Sequence, residues 1–368
     1  MNSQKAKKNE IEVSVIGSGI AGITTAFHLA KKGYRVNLID SKVNSKINNL
    51  NPKNGTQASL GVLMGNIYKR SKGRAFSLRN ESIRLWKEWL IEINDSNSNI
   101  KLEKPLIKLA SSEKEYLSMI KISESKKEYG IEVLDKKSIE FWNSIFEKKL
   151  IGGLISHEDG RIDPIKLLKL LMQSLDKLKV NKIEDSVIKI NKNFNSVRKN
   201  WNIYLANNQC LNQDYVVICS ALESQKLIEP LGHKINLEPI LGQVCILELK
   251  HKNFNWKSWP GVLNYKSINF IPQNPNQMIM GATIENNTEP NLLIKKEMLS
   301  ISDTAPEWIR KATVKYEWSG LRARPMNEPS PILKELESGL LINSGHYRNG
   351  FLLAPSCAEW IGYKIENE

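Results

Sequence analysis

The sequence predicts an α/β fold, α+β over the whole chain, with a strand-rich second domain inserted into a frame that opens on a βαβ unit. Three observations carry this. Residues 13–40 read VSVIGSGIAGITTAFHLAKKGYRVNLID, a strand, a glycine-rich turn, a helix and a second strand in succession. The middle of the chain is rich in strand-like runs that do not alternate with helices. At 368 residues the chain is long enough for two structural domains.

In order along the chain, residues 13–16 are a short apolar, β-branched strand. Gly17 permits a tight turn, Gly19 lets backbone approach a pyrophosphate, and Gly22 lets the following helix pack on the strand. Ala26 and Leu29 share the inner face of that helix, Gly33 ends it, and residues 34–39 form the second strand. The helix N-terminus offers unpaired N–H groups and a positive dipole end to phosphates. Asp40 closes the unit, where a carboxylate accepts hydrogen bonds from a ribose 2′-OH and repels a 2′-phosphate. These pieces together specify a dinucleotide site; they leave FAD and NAD both open.

Residues 41–55, rich in Asn, Lys and Ser, read as a loop. Residues 58–66, ASLGVLMGN, are small enough for backbone to lie against something flat. Residues 76–93 have helical spacing, with Trp86 and Trp89 as core anchors. Residues 102–110 read as a strand and 112–129 as a charged surface helix. Asp163 is placed to cap a helix that begins at Pro164 and turns Ile165, Leu168 and Leu171 inward. Strands are expected at 187–190, 201–205, 215–219, 241–249, 269–272, 278–283 and 339–343, and residues 308–316 are mixed in character.

The bulk properties exclude several classes. Hydrophobic content of 41% and charged content of 25% are ordinary for a soluble globular protein. The polar start MNSQKAKKNE carries no secretory apolar region, and no apolar run reaches membrane-spanning length. The four cysteines show no metal-like spacing. Cys219 and Cys245 lie in apolar runs as core residues, so a reducing, cytoplasmic location is expected, and no metal. The net charge of +14 comes from lysine spread through the chain without arginine–aromatic blocks, so nucleic acid is not an expected partner. Oligomeric state stays open.

Further motifs follow at fixed order: DGRIDP (159–164), DYVVICSALES (214–224), EPILGQV (238–244), FIPQ (270–273), MGATIE (280–285), GLRARP (320–325) and GHYRNGFLLAP (345–355). With the glycine-rich start, this series resembles the D-amino-acid oxidase superfamily of FAD-dependent oxidoreductases, in its glycine oxidase and sarcosine oxidase-like branch. The resemblance spans about residues 10–361. It implies a p-hydroxybenzoate-hydroxylase-like two-domain fold and selects FAD as the cofactor. A Rossmann-like FAD domain is expected from residues 9–84, 150–235 and 322–366. A mostly antiparallel sheet from 85–149 and 236–321 is expected to form the substrate domain.

The resemblance also implies site residues. FAD is expected on Gly17, Gly19, Ile20, Ala21, Gly22, Asp40 and Ser41, with Val187 meeting the adenine through its backbone and Ser220 nearby. Ala58, Ser59 and Gly61 are expected along one side of the flavin, and Arg348, Asn349, Gly350, Phe351 and Leu352 along the other. Backbone N–H groups of that late segment would stabilise charge on reduced flavin. The catalytic positions are Arg322 and Arg348, with Arg322 the stronger candidate for bidentate capture of a substrate carboxylate; a surface ion pair is the plainer reading. Met64, Phe270 and Ile284 are expected to line the substrate pocket, or to be plain core. Arg324 reads as structural. His346 either contacts the flavin or is a packed, hydrogen-bonded histidine.

The implied reaction is oxidation of the Cα–N bond of glycine, a D-amino acid or an N-methyl amino acid by hydride transfer to flavin N5. The imine product then hydrolyses to a keto acid or glyoxylate, and oxygen or another electron acceptor reoxidises the flavin. Such a reaction demands positioning more than an acid or base. The chain departs from the pattern in four places. Phe270 stands where glycine oxidases carry a substrate-holding tyrosine, and Ala221 where a glycine is usual. Residues 326–331, MNEPSP, replace an acidic residue and glycine. Ile284 and Glu285 occupy the neighbourhood of an oxygen-activating lysine, which leaves oxidase and dehydrogenase both open. Two other readings are a flavoenzyme acting on a secondary amine of a modified tRNA nucleotide, and a flavin-binding protein whose activity has decayed.

Overall fold

A computed structural model describes residues 8–47, 52, 54–94, 98–194, 199–250 and 258–368. The start of the chain through residue 7, and residues 48–51 and 53 of the expected loop, lie outside them. The leading strand, Glu12–Ile16, is central in a six-stranded sheet. On one side it pairs in parallel with Arg35–Ile39, which pairs with Asn181–Ile183; on the other with Tyr215–Ile218, then Leu340–Ser344. Ile332–Glu337 closes that edge antiparallel. Val15 sits opposite Leu38 and Val217, all three fully buried. A strand buried on both faces reads as a continuous apolar run, as residues 215–218 do.

Helices Ile20–Lys31, Arg74–Ile93, Pro164–Lys177 and Gly350–Glu366 share a single core on one face of this sheet. Trp86 and Trp89 are its anchors; the Trp86 indole donates to the Phe351 carbonyl at 2.7 Å. Asp163 caps its helix, accepting from the Ile165 and Lys166 amides. Leu168 and Leu171 face inward as expected, joined by Leu167, whereas Ile165 is only half buried. On the sheet's other face lies a three-stranded meander of Val187–Lys192, Trp201–Leu205 and Cys210–Gln213.

The second sheet has eight strands in the order Thr313–Pro325, Leu237–Glu248, Gln277–Gly281, Ile268–Asn274, Val262–Tyr265, Leu106–Ala110, Gly152–Ser156 and Ile131–Leu134. Its pairs are antiparallel except Val262–Tyr265 with Leu106–Ala110. Two elements cross the limits expected for the domains. Helix Arg74–Ile93 runs through the 84/85 boundary because its apolar side packs on the nucleotide-type core to its end. Gly152–Ser156 belongs to the eight-stranded sheet, since it pairs with Leu106–Ala110. The mixed segment 308–316 resolves into helix Glu307–Arg310 and the start of the long strand Thr313–Pro325. Among the described residues no helix is long and apolar enough to cross a membrane.

Candidate active site

A cavity of about 650 Å³ runs between the two sheets, from the Gly17 turn at one end to Arg322 at the other. At its nucleotide end the glycines are required sterically. Gly17 has φ of +107°, and a Cβ there would lie 2.7 Å from the Cys219 carbonyl. A Cβ on Gly22 would lie 1.8 Å from the Gly17 carbonyl oxygen, so the turn and helix close on each other only with glycine at both places. The helix that follows has no side-chain cap at Gly19, and its Ile20 amide donates to Thr56 Oγ1 at 3.0 Å. Asp40 is fixed at the tip of the second strand, accepting from the Ser18 amide at 2.7 Å and the Lys42 amide at 2.8 Å. Each carboxylate oxygen keeps a lone pair for a further donor.

Ile20, Ala21, Ser41, Val187 and Ser220 line this end with Gly17, Gly19 and Asp40. Ala58 and Ser59 also line the cavity, as do Arg348 and Asn349 of the late loop and Gly350 and Phe351 at the start of the last helix. Three expected cofactor residues stand behind the wall. Gly22 faces the turn. Gly61, with φ of +69°, packs where a Cβ would come 2.0 Å from the Ile162 carbonyl oxygen. Leu352 is fully buried in the helical core.

At the far end Arg322 leaves its strand and lies flat over Gly242, where a Cβ would come 2.1 Å from Nη2. Its Nη1 donates to two carbonyls, Leu241 at 3.2 Å and Thr283 at 3.1 Å. Both Nη1 hydrogens are thereby committed, so the open edge for a carboxylate is Nε–Nη2. Burial lowers the guanidinium pKa, and the neighbouring Arg348 charge lowers it further. Among the described residues neither arginine forms a salt bridge. Behind Arg322 the buried Glu285 carboxylate accepts from Gln243 Nε2 at 2.8 Å, the Asn291 amide at 2.9 Å and the Thr283 hydroxyl. That network fixes the loop whose Thr283 carbonyl orients Arg322. Arg324 instead pairs with Glu238 at 3.0 Å, off the cavity. His346 lines the wall with its Nε2 unpartnered, and burial pushes its pKa down to about 4, so it is neutral.

Met64 and Ile284 line the cavity, but Phe270 does not. This corrects the expectation for Phe270. Its ring is fully buried on the opposite face of the sheet, 5.5 Å from Phe146 and 6.4 Å from Trp308 between centroids. Strand side chains alternate between faces, so the residue before it, Asn269, takes the cavity position. Tyr68 and Tyr347 also line the substrate end and were missed. Strand alternation was the available signal for Asn269; no spacing rule marks the two loop tyrosines.

The cradle fits FAD: glycine-only close packing at the phosphate end, an acid at the ribose position, and an elongated cavity ending at two arginines. The model for the DAO family, FAD dependent oxidoreductase, matches residues 12–364. The chain belongs to this family. FAD is its cofactor, and the protein is an FAD-dependent amino-acid oxidase or dehydrogenase. Among relatives, glycine oxidase of Bacillus licheniformis is 23% identical over 372 residues, covering 97% of this chain and 94% of that protein. Among solved structures, glycine oxidase from Geobacillus kaustophilus superposes with a TM-score of 0.82 at 21% identity, covering 97% of this chain and 94% of that one. Iminodiacetate oxidase from Chelativorans sp. BNC1 gives 0.82 at 19% identity, covering 97% and 95%. In this DAO family member the two-sheet architecture is therefore the family's, α/β with a second sheet over the cavity.

Proposed function

We propose that this chain oxidises the Cα–N bond of a small amino acid, either glycine, a D-amino acid or an N-methyl amino acid, and that Arg322 holds the substrate carboxylate. The observation that carries the reading is the Arg322 guanidinium itself. It is half-buried, fixed by two main-chain carbonyls, beside a second arginine and in no salt bridge among the described residues, while the nearby Glu285 carboxylate opposes the drop in its pKa without pairing with it. A partly desolvated cation in that state is stabilised when something anionic completes it. An α-carboxylate on the Nε–Nη2 edge does so and places the amine-bearing carbon further along the cavity.

The chemistry that bound FAD supplies is two-electron oxidation of the Cα–N bond; the resulting imine hydrolyses in water. The residues contribute position. Gly17, Gly19 and the uncapped helix would hold the diphosphate, Asp40 the ribose, and Ala58, Ser59 and residues 348–351 the walls beside the ring system. Arg322 and Arg348 make the substrate end positive. Met64 and Ile284 add apolar surface on which a short side chain or N-methyl group packs.

Anaerobic addition of small amino acids to the purified yellow protein tests the reading. Loss of flavin absorbance near roughly 450 nm is expected. A flavin left oxidised by glycine, D-amino acids and N-methyl amino acids alike would overturn it. Within a responsive substrate, Arg322→Ala should raise KM by about 100-fold, the loss of a charge-assisted pair; steady-state kinetics reads this directly.

A further inference from the structure

The late loop carries a residue that neither the glycine-rich turn nor the arginines explain. Tyr347 lies between the buried His346 and the exposed Arg348, and it lines the substrate end of the cavity. Its backbone is left-handed, with φ of +53°. A bulky side chain there costs roughly 1–3 kcal/mol and persists only where the surroundings impose it. Here they do: the Tyr347 amide donates to the Ala323 carbonyl at 3.0 Å, and the Asn349 amide closes the turn on the His346 carbonyl at 3.0 Å. The strand that carries Arg322 thus grips the tyrosine's backbone one residue away from the arginine. The Tyr347 hydroxyl has no protein partner among the described residues, and the residue lines the same cavity as Arg322, its backbone held on the Ala323 carbonyl next along the strand.

Arg322 offers a carboxylate only one edge, because Nη1 is committed to Leu241 and Thr283. A carboxylate has about four lone-pair sites, so two guanidinium donors leave room for a third. The nearby strand position facing the cavity, Asn269, accepts through its side-chain oxygen from Asn264 Nδ2 at 2.9 Å, so its own Nδ2 is the rival donor that an unchanged Kd in Tyr347 variants would identify. From this placement we propose that the Tyr347 hydroxyl is a specificity-determining donor that completes the carboxylate site with Arg322. The proposal rests on the amino-acid reading above. It adds that recognition of the acid group comes from the late loop, not from a hydroxyl on the sheet. A neutral donor beside a fixed cation strengthens a carboxylate complex without adding to the repulsion between Arg322 and Arg348.

The test uses the FAD-loaded protein and a carboxylate without an amine, methoxyacetate, titrated against the visible flavin spectrum. Tyr347→Phe keeps the ring and should raise the methoxyacetate Kd by about tenfold, as loss of one hydrogen bond to a charged group does. With a reducing amino acid, KM should rise by more than kcat falls. Tyr347→Gly removes the ring at a position whose backbone suits glycine. It should lose the same affinity while melting no lower than the parent, which separates binding from folding. A Kd within about twofold of the parent in both variants, or no methoxyacetate binding by the parent, overturns the proposal. If methoxyacetate binds and weakens as stated but no amino acid reduces the flavin, the oxidation reading fails and the carboxylate site stands.

Discussion

At the residue scale, Ala221 shows how a departure from the family pattern acquires a physical cost. It follows the strand Tyr215–Ile218 and lines the cavity with φ of +49°, a conformation glycine adopts freely and alanine does not. Its carbonyl accepts from Ser344 Oγ at 3.2 Å, which helps hold the turn. Ala221→Gly is expected to stabilise the FAD-loaded protein by about 1 kcal/mol, since relief of the left-handed strain exceeds the extra chain entropy. Thermal melting checks it; an unchanged or lower Tm would mean the backbone is unstrained. Residues of this kind were legible in the sequence because a glycine was missing where the motif wants one. Phe270 was misread for the opposite reason. A motif gives an order of residue types, whereas the face of a strand depends on register, and a shift of one residue exchanges the core ring of Phe270 for the cavity amide of Asn269.

Between residue and fold, the segment Gly65–Tyr68 shows how a wall of the site is held without regular structure of its own. The buried Asp159 carboxylate accepts from the amides of Gly65, Asn66 and Ile67 at 2.9–3.0 Å. Burial raises its pKa and the three amides oppose that rise. From the other side the buried Lys126 ammonium donates to the Asn66 carbonyl at 2.8 Å and to the Tyr68 carbonyl, and Arg79 Nε donates to the Gly65 carbonyl at 3.2 Å. The result presents Met64 and Tyr68 to the cavity, with the Arg79 guanidinium 5.2 Å from the Tyr68 ring. Asp159→Asn removes the charge that balances two buried cations and replaces one acceptor oxygen with a donor facing N–H groups. A loss of about 3–5 kcal/mol is expected in denaturant unfolding. KM for a reducing amino acid should also rise more than FAD affinity falls, because the segment touches the substrate end. Asp159 was visible in the sequence only as part of a motif. Its partners at 65–67, 79 and 126 are far apart in the chain, and no local pattern brings them together.

Over the whole molecule, the six-stranded sheet drawn from separate stretches of chain was legible because each return of the chain leaves a local mark: the glycine-rich turn, the apolar run 215–219, and the late strand Leu340–Ser344 before Gly345. The limits between the sheets were not, since Gly152–Ser156 is assigned by its pairing partner and not by its own composition. Global pH dependence follows from the same burial that builds the cores. His28 stacks on Trp89 and packs against Gly362, and burial with nearby lysines pushes its pKa from 6.5 down to about 4. His346 is pushed to about 4 by burial alone. In both cases the unfolded chain takes up a proton near pH 6.5 that the folded chain resists until about pH 4. The contribution of these two histidines is therefore complete above pH 6.5 and is lost through that window, by about 3 kcal/mol for each group at full extent. Lys126 acts at the other end: burial lowers its pKa from 10.5 to about 8, so its contribution to stability rises with pH between those values. His28→Gln, remote from the cavity, isolates one acid term. The variant should start less stable at pH 7.5, having lost the stacked ring, yet lose less stability between pH 6.5 and 4 than the parent. Denaturant unfolding at half-unit pH steps reads both slopes; equal slopes would mean that His28 titrates in the folded protein as it does in the unfolded chain.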